Sequence, residues 1–186
     1  MMSPTLFALA LAGLHAHAVP TRETAEVRDA RLRSTARDAV FAVESSSPLP
    51  GMTREATLRL VLATAIVESA GLLPDVDRGK FRGDHGRSVC IMQINVGNGL
   101  VQSPHAEVAS WRARDLLSDR TKCFRAGLEA ARWSMTLCSA AGLRGADQLA
   151  AYVSGRCTPG FATARHRWFL AERMALASVP EALICV

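Results

Sequence analysis

The stretch from Thr53 to Pro74 constrains this chain most, because it carries a complete helix signal from start to stop. Thr53 is a natural N-cap, and Glu55 follows in the first turn, where the helix dipole favours an acid. Leu58, Val61, Leu62, Ala65, Ile66 and Ser69 recur at spacings of three and four, which builds an apolar or small-residue face. Gly71 supplies a C-terminal cap, and Pro74 forbids continuation. At about 100° per residue, Glu68 falls within roughly 20° of Val61, beside the apolar stripe. Read from the helix alone, Glu68 is a boundary glutamate with its tip in water. Held against apolar neighbours, the same carboxyl keeps its proton above the reference pKa of about 4.3 and becomes a candidate general acid.

Two further segments bear on that choice. Gly86 opens the run Gly-Arg-Ser-Val-Cys-Ile-Met-Gln-Ile-Asn ending at Asn95, and residues 151–155 read Ala-Tyr-Val-Ser-Gly. Alternation over Val89 to Ile94 predicts a short extended segment with Gln93 toward solvent. Met92 reads as core filler. Tyr152, the single tyrosine, ends an apolar run and reads as a helix aromatic with its ring inward and its hydroxyl outward. Asp75, Asp77 and Asp84 lie in a loop rich in Gly and Arg, where aspartates are usually solvated turn formers.

In order and spacing, Glu68-Ser69, the run from Ser88 to Ile94, and the segment from Ala151 to Gly155 resemble the soluble (SLT-type) lytic transglycosylases. The resemblance covers roughly residues 53–170. It implies a lysozyme-like fold and a peptidoglycan lytic transglycosylase, which cleaves the β-1,4 bond between N-acetylmuramic acid and N-acetylglucosamine and leaves 1,6-anhydromuramic ends. It also implies Glu68 as the catalytic residue, first acid and then base, with Ser69, Ser88, Met92, Gln93 and Tyr152 as substrate-binding residues. No cofactor is expected. The partners expected are peptidoglycan glycan strands and a secretion-system or envelope protein, with the chain itself a monomer.

Two positions depart from the family's pattern. Cys90 stands where glycine is usual, and Val153 stands where asparagine is usual. These departures keep a non-catalytic peptidoglycan-binding module as one alternative. A hydrolytic lysozyme is the other, since ordinary glycosidases use a second carboxylate. Asp75, Asp77 and Asp84 are the available candidates for it.

With 186 residues, 49% of them hydrophobic, the chain is expected to form one domain with a proper core. Helical periodicity recurs over residues 105–117, 120–139, 145–153 and 161–177, and only residues 88–96 look strand-like. The expected class is therefore mostly α (α+β), with a small sheet element beside the helix of Glu68. The net charge of +5 suits an acidic envelope polymer. Nucleic acid is not expected: the basic residues are dispersed, and Arg165 and Arg167 are assigned to a solvated helix face.

Leu6 to Leu14 is an apolar run of signal-peptide length, and Ala16-His17-Ala18 fits a small-residue cleavage site. Its start carries no Lys or Arg. A hydrophobic helix docked on the domain is the alternative. The expected divisions are a signal peptide at 1–18, a charged segment and linker at 19–50, and the catalytic domain at 51–180. Five cysteines favour an oxidising compartment, hence a periplasmic or secreted protein. Cys138 with Cys157 and Cys90 with Cys123 are candidate bridges, and an odd number leaves one thiol over. No short Cys or His pair suggests zinc, so no metal is expected.

Overall fold

The computed structural model describes residues 2–176. Cys185, and with it the question of the fifth thiol, lies outside the described residues. The protein is mostly helical with a small antiparallel sheet. Helix α3 (Arg54–Glu68) is capped as expected, with Thr53 Oγ1 accepting from the Ala56 amide. Its burial exceeds one stripe: Thr57, Leu58 and every residue from Leu60 to Ile66 are buried. The reason is its position, because α1 (Pro4–His17), α2 (Ala25–Glu44) and α9 (Ala162–Leu176) all pack against it. After Ser69 the chain turns sharply through Gly71, whose φ is +87°, into the short helix α4 (Pro74–Asp77). A Cβ at Gly71 would sit 2.5 Å from Val19 Cγ1, so only glycine permits this approach.

The α1 helix buries Leu6, Ala10, Leu11 and Leu14, and its Gly13 lies against Met174 of α9. Arg28 donates to the Ala18 carbonyl at 2.8 Å, and the Val19 amide donates to Gly71 O at 3.1 Å. Helix α2 buries Leu32, Thr35, Ala36, Ala39, Val40, Ala42 and Val43; Glu26, Arg33 and Arg37 are exposed, while Arg31 is part-buried and donates to Leu72 O at 3.0 Å. Residues 45–50 are anchored to the helices. Arg132 donates to Ser47 O at 2.6 Å and Pro48 O at 2.9 Å, and the Leu49 amide donates to Thr57 Oγ1 at 3.0 Å.

The expected helix at 105–117 is two short ones, α5 (Ala106–Ala109) and α6 (Ala113–Ser118). They part because the Val101 amide of the sheet takes the Trp111 carbonyl, at 2.9 Å. Helix α7 (Arg120–Ala140) then runs as one element, and α8 (Ala150–Ser154) follows a 3-10 turn at Gly145–Leu149.

The extended segment expected over 89–94 is instead a hairpin. Strand β1 (Ser88–Val89) pairs with β2 (Ile94–Gly97), which pairs with β3 (Leu100–Val101). The first turn is tight: Cys90 and Gln93 have φ of 59° and 47°, and the Gln93 amide donates to Cys90 O at 3.0 Å. The second is Asn98-Gly99, both with positive φ, the pair that a two-residue hairpin favours. Disulfides join Cys90 to Cys123 and Cys138 to Cys157, fastening the first turn and the segment after α8 to opposite ends of α7. Among the described residues, no helix is long and apolar enough to cross a membrane.

Candidate active site

Helix α3 ends by delivering Glu68 to one wall of a cleft of about 760 Å³. The cleft is lined by residues far apart in the chain, including Asp84, Ser88, Gln93, Asn95, Trp133, Tyr152, Val153 and Arg167. The Glu68 side chain is 18% exposed, so its carboxyl is neither in bulk water nor sealed away. Arg167 reaches it from α9, with Nη2 donating to Glu68 Oε1. Burial pushes the Glu68 carboxyl above its ordinary 4.5; the Arg167 guanidinium opposes that rise, and the negative charge of Asp84 adds to it. The net direction is upward, toward an acid that keeps its proton.

The sheet side of the cleft is built by the tight turn. Gln93 is held at both ends of its amide: Oε1 accepts from the Gly83 amide at 2.9 Å, and Nε2 donates to Cys90 O at 3.0 Å. A Cβ at Gly83 would lie 2.5 Å from Gln93 Oε1, so a side chain there would push the amide aside. Ser88 donates through Oγ to Asp84 Oδ2 at 2.7 Å. Across the cleft, the Tyr152 amide donates to Ser134 Oγ at 2.9 Å, and Ser134 donates to Gln148 O at 2.8 Å. Those bonds seat α8 on α7. The Tyr152 hydroxyl turns inward and donates to Met92 O at 2.8 Å. Burial and the neighbouring Glu68 charge push the phenol's pKa upward, so it stays a protonated donor.

Glu68, Ser88, Gln93 and Tyr152 therefore share one cleft. Ser69 and Met92 do not line it. Ser69 is fully buried, its Oγ donating to Ala65 O and accepting from the Leu72 amide, which ends α3 and leaves nothing for a ligand. Met92 is 1% exposed and packs so closely on α7 that a Cβ on Gly127 would meet its Cε at 2.2 Å. Both work behind the wall.

Arg167 also departs from expectation. It is buried at 3% exposure, whereas Arg165 is exposed and pairs with Asp147 at 3.3 Å. The signal was present in the sequence: Ala164, Arg167, Leu170 and Met174 recur at spacings of three and four, and all are buried. Among the three aspartates, Asp84 alone lines the cleft. Asp77 pairs with Arg120 at 2.6 Å and Asp75 with Lys80 at 3.2 Å, both away from it. Trp133, 37% exposed on α7, gives the cleft a flat apolar wall that no sequence block announced.

A second concavity of about 690 Å³ is floored by Arg120, whose guanidinium is already paired with Asp38 and Asp77. No group of three or more His, Cys, Asp or Glu is placed to hold a metal ion among the described residues. The chain matches no protein-family model, no curated protein and no solved structure.

Proposed function

We propose that the protein is a peptidoglycan lytic transglycosylase with a lysozyme-like arrangement, acting in the periplasm or outside the cell. The observation that carries this reading is the convergence of three separate blocks, at Glu68, Ser88–Gln93 and Tyr152, on one cleft with a part-buried carboxyl at its wall. Protonated Glu68 donates to the oxygen linking N-acetylmuramic acid to N-acetylglucosamine, and the C1–O bond breaks. The carboxylate so formed takes the proton of the muramoyl 6-hydroxyl as its oxygen bonds to C1, closing the 1,6-anhydro ring. Atoms and protons balance with one carboxyl. Glycan strands lie along the cleft, with Gln93, Asn95 and Ser88 on one side and Trp133 on the other. The basic net charge suits an acidic wall polymer, and the disulfides suit an oxidising compartment. A secretion-system or envelope protein remains the proposed partner class.

One observation favours a second reading. Asp84 lines the same cleft and its negative charge raises the Glu68 pKa, which supports a hydrolase in which Asp84 serves as the second carboxylate and positions a water. Mass spectrometry of purified peptidoglycan digested by wild type and by Glu68→Gln separates the two. Anhydro-muropeptides from wild type alone support the transglycosylase. Reducing ends that disappear in the variant support a lysozyme. No products from folded, oxidised protein on several wall types would sink both and leave a binding module.

A further inference from the structure

Among the described residues, Arg167 is the one charged residue that is buried. Its guanidinium uses Nη2 on Glu68 Oε1 and lies 5.4 Å from the centroid of the Tyr152 ring. Its Nε and Nη1 are buried with no hydrogen-bond partner. Burying a guanidinium with donors unpaired opposes folding, and a buried ion pair is often no more stable than apolar side chains of the same volume. A site that keeps such an arrangement pays in stability for something else. The groups facing Glu68 are few. Arg167 comes from α9, Asp84 from the turn before β1, and Tyr152 from α8, while the Cys90–Gln93 turn offers no titrating group because Cys90 is in a disulfide.

We propose that Arg167 is the positioning residue of this site, acting on substrate only through Glu68: it fixes the carboxyl's orientation and stabilises its ionised form. The proposal rests on the reading of Glu68 as acid and then base. Without a cation, a part-buried carboxyl donates its proton reluctantly and, once ionised, has nothing to hold it for the return step. With Arg167 bonded to one oxygen, the ionised form is stabilised as it appears, and Oε2 is left for the sugar. The Tyr152 ring beneath the guanidinium keeps that geometry without competing for the carboxyl.

The test is a pH titration of the Glu68 carboxyl carbon by 13C NMR in the full oxidised chain, assigned by loss of the signal in Glu68→Gln. Wild type is compared with Arg167→Met, Arg167→Gln and Arg167→Lys. Removing an opposite charge at this range should raise the Glu68 midpoint by about one to three units in Met and Gln, with Lys restoring much of the difference. On peptidoglycan, kcat should fall by roughly tenfold to a hundredfold in the Met variant with KM little changed, and the alkaline limb should move up with the titration. If Arg167→Met fails to fold, the polar but uncharged Arg167→Gln carries the same comparison. An unmoved midpoint in a folded variant overturns the proposal, as does a loss of kcat that Lys does not relieve at all. Wall cleavage that survives Glu68→Gln would instead bring down the acid reading, and the titration distinguishes that failure from this one.

Discussion

The Tyr152 hydroxyl donates to the Met92 carbonyl at 2.8 Å, joining α8 to the tight turn between β1 and β2 across a sequence separation of 60. That bond makes the phenol a strut between the two walls of the cleft. It also satisfies a carbonyl in a turn whose neighbours Cys90 and Gln93 already have positive φ. Tyr152→Phe keeps the ring under Arg167 and removes only the donor. It should cost about 1–3 kcal/mol, the usual penalty for stranding a buried acceptor. Urea unfolding with an unchanged slope is the measurement, and a midpoint equal to wild type would show the bond to be expendable.

Asp84 and Arg167 pull the Glu68 carboxyl in opposite directions, so their variants should move activity in opposite directions along the pH axis. The raised Glu68 pKa means that the acid is protonated at low pH and lost as pH climbs through that value. Asp84→Asn removes a negative neighbour, which lowers the pKa and draws the alkaline limb toward acid. The same substitution leaves anhydro products intact if one carboxyl suffices, and abolishes reducing-end products if Asp84 positions a water. A limb that moves to higher pH in Asp84→Asn would contradict the electrostatics drawn here.

Much of this geometry was legible in the sequence because it is local. The cap at Thr53 and the period of α7 and α9 depend on neighbours a turn away, whereas α3 is capped at Ser69, two residues before the expected cap at Gly71. What escaped depends on distant partners. The break between α5 and α6 follows from a strand claiming the Trp111 carbonyl. The hairpin hid inside an alternating run because Cys90 and Gln93 adopt a conformation side chains usually avoid. The charge of Arg167 points to solvent, although its spacing from Ala164, Leu170 and Met174 puts it on the buried face. At that position the helical period outranks the residue's charge.

Ser69 separates a site residue from a structural one. Its hydroxyl closes the end of α3, bonding Ala65 O and the Leu72 amide in a fully buried position. Ser69→Ala should therefore cost about 1–3 kcal/mol in chemical denaturation by leaving the Leu72 amide without its acceptor. KM for glycan strands should stay within about twofold of wild type, a difference worth only a few tenths of a kcal/mol. A large rise in KM at unchanged stability would return Ser69 to the cleft.

The two disulfides close loops of similar size but hold different things. By loop entropy alone, the separations of 33 and 19 residues make each worth roughly 3–4 kcal/mol, so Cys90→Ser/Cys123→Ser and Cys138→Ser/Cys157→Ser should lower stability comparably. Their effects on turnover should differ. Cys90 sits in the turn whose carbonyl holds Gln93 and whose neighbour Met92 anchors Tyr152, so releasing it from α7 loosens both walls beside Glu68. Cys157 follows α8 and lies outside the cleft lining. Turnover of folded protein at low temperature should fall on the order of tenfold or more for the first pair, and much less for the second. Equal losses for the two pairs would mean that the bridge at Cys90 serves the fold alone. Cys90 would then be a staple with no part in arranging the acid.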